Sequence, residues 1–242
     1  MNEPIRYRIL GPLEVDGRPV PGPQQRALLA MLLLNRDRIV SITELAAEIW
    51  PDKTPDQMRR NTLHAQVARL RSNLKQTLPI YAKSGGYQLT GDPSEVDTFH
   101  FYQLRRAART QDPQQAIVTL DTALALWRGD ALQDAVLGRR CQAAAVGLQE
   151  SRLQAHEEVA WAHVKQHTAV HVVDGLAGLA VLHPMRETLL AALMAALDGC
   201  GRRVEALTVF QQARERFTAA LGVEPGEVMR QQHVRILQGG VL

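Results

Sequence analysis

The chain has 242 residues, of which 45% are hydrophobic and 22% charged, with a formal net charge of +3 and only two cysteines. That length suits two domains of ordinary size, and Cys141 and Cys200 stand too far apart for a disulfide framework or a zinc site, so both read as small buried hydrophobes. The N-terminus lacks the apolar core of a signal peptide and no run of about 18 apolar residues occurs, so a cytoplasmic protein without membrane contact is expected.

In chain order, Ile5 to Val15 alternates enough for one or two short strands broken at Gly11-Pro12. Asp16-Gly17 then signals a hairpin turn before Val20. Gln24 to Asn35 reads as a helix whose dense leucine run buries most of its surface. Ser41-Ile42-Thr43-Glu44 is a capping box that opens a second helix, with Leu45, Ile49 and Trp50 on one face and Pro51 as its stop.

Residues 54–75 carry the strongest functional signal. Thr54 as cap, Pro55 at the first helical position and Gln57 for a capping box mark a helix start. Leu63, Val67, Leu70 and Leu74 then form one apolar stripe. At about 100° per residue the opposite face carries Asn61, Ala65, Ala68, Arg69 and Ser72, flanked by Thr62 and His64. Two alanines keep that face slim enough for a major groove, while Asn, Arg and Thr can bond base edges and phosphates. Arg59, Arg60 and Arg71 lie nearer the flanks, as phosphate contacts.

Positions 55–83 hold six basic residues, Arg59, Arg60, Arg69, Arg71, Lys75 and Lys83, against the single acid Asp56. A helix laced with surface ion pairs is the competing reading, and the shortage of acids weighs against it. Ile80 to Lys83 and Tyr87 to Thr90 flank Ser84-Gly85-Gly86 as a β-hairpin. Strands, three helices and a terminal hairpin make an α+β winged helix-turn-helix. Its third helix enters the major groove, and its hairpin can set Lys83 or the Gly85-Gly86 backbone against a neighbouring phosphate or minor groove.

Beyond Gly91-Asp92-Pro93 strand signals cease, which places a boundary between a DNA-binding domain over 1–92 and an all-α domain over 93–242. Helices are expected at about 97–110, 113–128, 139–166, 171–183, 185–199, 202–221 and 225–238. Short connections suggest a tetratricopeptide-like stack without a strict 34-residue period, with Trp127 and Phe210 in its core. Such stacks present concave surfaces to proteins or peptides. An enzyme lacks its constellations: there is no P-loop, no G-x-S-x-G elbow, and His163 with His167 offers two metal ligands without a third. No cofactor is expected. A repressor and an activator need the same DNA contacts, and a pure scaffold would bind DNA only at the electrostatic background.

The order of motifs resembles the Streptomyces antibiotic regulatory protein family. The residues that carry it are Leu10 to Val15, Gln25 to Leu29, Leu45 to Trp50, Leu63 to Leu74, Gly86 to Leu89, Val96 to Phe99, Ala123 to Gly129, His183 to Glu187, Gly201 to Leu207 and Leu221 to Pro225. Each fragment is weakly specific, whereas their order over residues 5–238 is highly so. The resemblance implies an OmpR-type winged helix followed by a bacterial transcriptional activation domain. It further implies a dimer on direct repeats in promoter DNA and recruitment of the RNA polymerase holoenzyme to an antibiotic gene cluster. Lys165-Gln166-His167 stands where the family often has a glycine, so a longer or differently shaped turn is expected there. The nucleotide-binding and sensor modules of larger relatives are not seen in the sequence, nor is a receiver domain with its phosphorylatable aspartate.

Overall fold

The computed structural model describes residues 5–51, 60–74, 78–135 and 138–239, apart from the side chains of Arg60 and Asn61. The cap expected at Thr54, Pro55 and Gln57 lies outside the described residues. Packing divides the chain into two compact units. The first comprises residues 1–103 and 125–151, the second 104–124 and 152–242. This division does not follow the change of sequence character at residue 92, because a stretch of the helical half packs with the N-terminal strands.

The first unit opens with a three-stranded antiparallel sheet, β1 (Tyr7–Arg8), β2 (Glu14–Val15) and β3 (Arg18–Pro19). Val15 pairs with Arg18 across Asp16 and Gly17, whose φ angles of 50° and 72° fit a two-residue turn that needs positive φ at both positions. Next comes α1 (Pro23–Leu34), buried from Ala27 through Leu33, as an apolar run without a polar face requires. Strand β4 (Val40–Ser41) leads into α2 (Ile42–Ile49), and Ser41 and Glu44 form the reciprocal capping box expected from the sequence. Helix α3 (Arg60–Asn73) and the hairpin β5 (Ile80–Lys83) with β6 (Gly86–Leu89) complete the winged helix. The second sheet has the order β4-β6-β5, with Val40 opposite Tyr87 and Lys83 opposite Gly86.

Three further helices follow, α4 (Asp97–Ala108), α5 (Pro113–Leu124) and the 27-residue α6 (Arg139–Lys165). The helix expected to run to residue 128 ends at Leu124, and the stretch after it is irregular because the first unit uses its backbone. Arg128 N–H donates to Leu10 O, Leu132 N–H to Ile9 O and Gln133 N–H to Gly11 O, at 2.8, 2.9 and 3.3 Å. Trp127 is core, as expected, but the core of this first unit, edge-on to Phe101 at 5.4 Å. Cys141 is buried here too, whereas Cys200 in the second unit is only half-buried.

The second unit is helical: α5, the later part of α6, α7 (Val173–Leu182), α8 (Glu187–Gly199), α9 (Arg203–Leu221) and α10 (Glu227–Leu237). Residues Leu189 to Leu197 of α8 are all buried, and α7, α9 and α10 pack around it. Phe210 belongs to this core and stacks on His233 at 3.9 Å. His167 itself adopts φ 56°, and Thr168 N–H closes the cap on His163 O at 2.9 Å, so a histidine occupies the left-handed position that glycine fills at least cost. Among the described residues no helix is long and apolar enough to cross a membrane.

Asp97 is the most informative buried charge of the first unit. It is 1% exposed, and its Oδ2 accepts Ile9 N–H at 2.9 Å and Leu10 N–H at 3.0 Å. Burial pushes its carboxyl above the usual Asp range, and the amide bonds and the Arg128 guanidinium only partly offset this. The folded state therefore binds more protons than the unfolded chain between the ordinary and the raised pKa. Stability is full below that window and falls as pH rises through it. Asp97→Asn keeps an acceptor without the charge, so denaturation from about pH 3 to pH 7 should show the wild type losing stability relative to this variant. Asp97→Ala strands two buried amides and should cost about 2–4 kcal/mol.

Candidate nucleic-acid interface

Helix α3 is held by an apolar stripe and by one polar clasp. Leu63, Val67 and Leu70 are fully buried, Leu74 is partly buried, and Trp50 lies in the same core. Gln66, also buried, accepts from Gln25 Nε2 and donates to Gln24 Oε1, both at 2.8 Å and both on α1. Neighbouring α1 glutamines thus grip a single α3 amide from both its donor and its acceptor end. Sequence reading missed Gln66, although its place between Leu63 and Val67 puts it at the edge of the buried stripe.

The face turned outward is the one the spacing predicts. Thr62, His64, Ala65, Ala68, Arg69, Ser72 and Asn73 are exposed. Asn61 and Arg60 lie on the same helix with undescribed side chains, and Arg59 is outside the described residues. Arg71 is half-buried, and its guanidinium donates to Ile80 O, so it fastens α3 to the first strand of the wing. The sequence offered no sign of this, since the bond joins residues on different elements.

The wing adds Lys83, exposed at the end of β5, and Gly85, exposed in the turn with φ 79°. Gly86 does not share that exposure. It is buried in β6, where a Cβ would come within 2.1 Å of Val40 O, so its small size serves the β4-β6 pairing. Its side of the turn is therefore closed to a phosphate. His64 Nδ1 meets the Tyr87 hydroxyl, and the rings stand 5.8 Å apart in an edge arrangement. Burial raises the Tyr87 pKa, with the Arg71 guanidinium opposing, so the hydroxyl remains a donor at neutral pH.

Arg69 and Lys83 have no carboxylate partner among the described residues. Unpaired cations beside a slim polar face, on a helix fixed against its own hairpin, define a winged-helix DNA-binding unit. Comparison with known proteins agrees. The family described as transcriptional regulatory protein, C terminal, matches residues 20–89, and the bacterial transcriptional activator domain matches residues 96–237. The chain belongs to the Streptomyces antibiotic regulatory protein family of DNA-binding transcriptional regulators.

Among its relatives, transcriptional regulator RedD of Streptomyces coelicolor is 36% identical over 96% of this chain and 70% of its own. Regulatory protein AfsR of the same species is 34% identical, with 97% of this chain matching 24% of AfsR. The solved structure of Mycobacterium tuberculosis EmbR in complex with a low affinity phosphopeptide superposes with a TM-score of 0.88 at 31% identity, covering 98% of this chain and 65% of that one. The match to residues 96–237 includes segments that pack in the first unit, so the sequence family and the packing unit do not share a boundary.

The two wing glycines should separate in a denaturation experiment. Gly86→Ala forces β4 away from β6 and should cost about 3 kcal/mol or more. Gly85→Ala meets open space and bears only the left-handed penalty of about 1–2 kcal/mol. Equal losses would show that the close approach to Val40 does not govern the wing.

Proposed function

We propose that this protein activates transcription of an antibiotic gene cluster by binding direct repeats in promoter DNA and recruiting the RNA polymerase holoenzyme. The observation that carries the reading is the outward face of α3, where Arg69 stands unpaired beside Ala65 and Ala68. Small side chains let the helix approach the base edges, and the guanidinium supplies a bidentate donor for them. Thr62 extends the same face, Asn61 falls on it by helical spacing, and His64, fixed by Tyr87, borders it. Lys83 on the wing and Arg60 on α3 act as phosphate contacts, and Arg71 acts chiefly by holding helix and wing together.

Activation, repeats and polymerase contact are supported by membership of the family and by the match to an activator domain over residues 96–237. The protein works in the cytoplasm, on the nucleoid. Deleting the gene should lower output from its cognate promoter, whereas a repressor's loss would raise it.

Replacing Arg69 by Ala should weaken binding to the specific site by about 1–3 kcal/mol and leave nonspecific DNA affinity nearly unchanged. Lys83→Ala should weaken both classes alike and reduce the salt slope by about one unit. Competition gel shifts at several salt concentrations measure both; an Arg69→Ala protein with wild-type operator affinity would exclude the assigned face.

One recognition helix reads too few base pairs to stand out in a genome, so two chains are expected on DNA, each on one repeat. Inserting about half a helical turn between the repeats turns the half-sites to opposite faces and should abolish cooperative occupancy, measured by footprinting. Cooperativity that survived the insertion would exclude same-face binding.

A further inference from the structure

The helical unit holds a cavity of about 250 Å³ lined by the C-terminal end of α4, the start of α5 and the last turns of α6. Its floor is apolar: Ala116 and Leu120 are buried, and Trp161 is half-buried at the wall. Its rim is cationic, with Arg109 and Lys165 both exposed. Glu158, the lining carboxylate, is held by buried Arg105 through two bonds of 3.1 and 2.9 Å, so its charge is already matched before Arg109 approaches at 3.4 Å. Lys165 has no ion-pair partner among the described residues. Gln111 lines the same space, and its Oε1 is buried without a hydrogen-bond partner among the described residues.

A buried acceptor without a donor is costly, and in a cavity it is satisfied by whatever fills the space. From these features we infer that the cavity is a binding site for a small aromatic carboxylic acid that carries a hydroxyl group. The ring lies against Trp161 and Leu120, the carboxylate faces Lys165 and Arg109, and the hydroxyl donates to Gln111 Oε1. Apolar walls with a few placed polar groups are the usual makeup of small-molecule sites, and the volume limits the ligand to a compact bicyclic size. The site stands apart from the DNA-binding reading, since every lining residue belongs to the second unit.

The test uses the full chain with 6-hydroxy-2-naphthoate and 2-naphthoate as probes, followed by calorimetry and tryptophan fluorescence. Saturable micromolar binding of the hydroxy acid is expected, with quenching that disappears in Trp161→Phe. Lys165→Glu should weaken both probes about tenfold. Gln111→Met should weaken 6-hydroxy-2-naphthoate to the level of 2-naphthoate and leave 2-naphthoate unchanged, because only one probe carries the donor. Lys165 is exposed, so that variant keeps the wild-type melting curve. No saturable binding, binding indifferent to Lys165→Glu and Gln111→Met, or quenching that persists without Trp161 would each overturn the site and leave a water-filled crevice.

Discussion

Backbone N–H groups of short strands and loops must find acceptors, and in the first unit carboxylates from far along the chain supply them. Asp97 serves Ile9 and Leu10, Asp134 serves Leu13 at 2.9 Å, and Glu48 receives Arg140 and Cys141 at 3.1 and 2.9 Å at the start of α6. Sheets of two-residue strands have few ladder bonds of their own, so these side-chain bonds decide whether the strands stay ordered. Glu48 is 3% exposed and also lies where a Cβ on Gly138 would strike it. The same carboxylate raises the pKa of buried Cys141 further, after burial itself, which keeps that thiol protonated and unreactive.

Around this frame the motifs that identify the family have structural work to do. Arg26 donates to Asp134 O at 2.7 Å and to Val20 O at 3.1 Å, while Arg128 reaches Pro12 O and Glu14, both at 2.8 Å. Gly11 lies against Arg128, with its missing Cβ only 3.0 Å from that residue's own. These contacts fix the loop of residues 10–13, which carries no candidate DNA contact. The resemblance is thus written mostly in residues that hold the winged helix in shape, and only partly in those that face outward.

Local pattern made the helices, the two hairpins and the outward face of α3 legible from the sequence. Leu63, Val67 and Leu70 repeat at helical spacing and are buried as that spacing requires. Long-range bonds were not legible. The helical pattern before Trp127 gave no warning that residues 125–128 would leave the helix and that the stretch beyond would bond to Ile9, Leu10 and Gly11. Gln66 and Arg71 are polar residues in a polar helix, and nothing local separates the amide clasped by α1 or the guanidinium spent on Ile80 from their exposed neighbours. Gly86 was misplaced for a related reason, since a turn glycine and a glycine required by strand packing look alike in a dipeptide.

The interleaved division of the chain also bears on how it is made. A ribosome releases the N-terminal strands first, yet the acceptors for Ile9, Leu10 and Leu13 sit at Asp97 and Asp134, and the helix start that neutralises Glu48 follows at residue 140. At bacterial elongation rates the fifty or so residues beyond the wing take roughly 3–10 s to emerge. Until then the N–H groups of Ile9, Leu10 and Leu13 lack their carboxylate acceptors, and Glu48 lacks the amides of Arg140 and Cys141. The bonds that complete the first unit can therefore close only once residue 141 has been synthesised, a length of polypeptide well past the last wing strand.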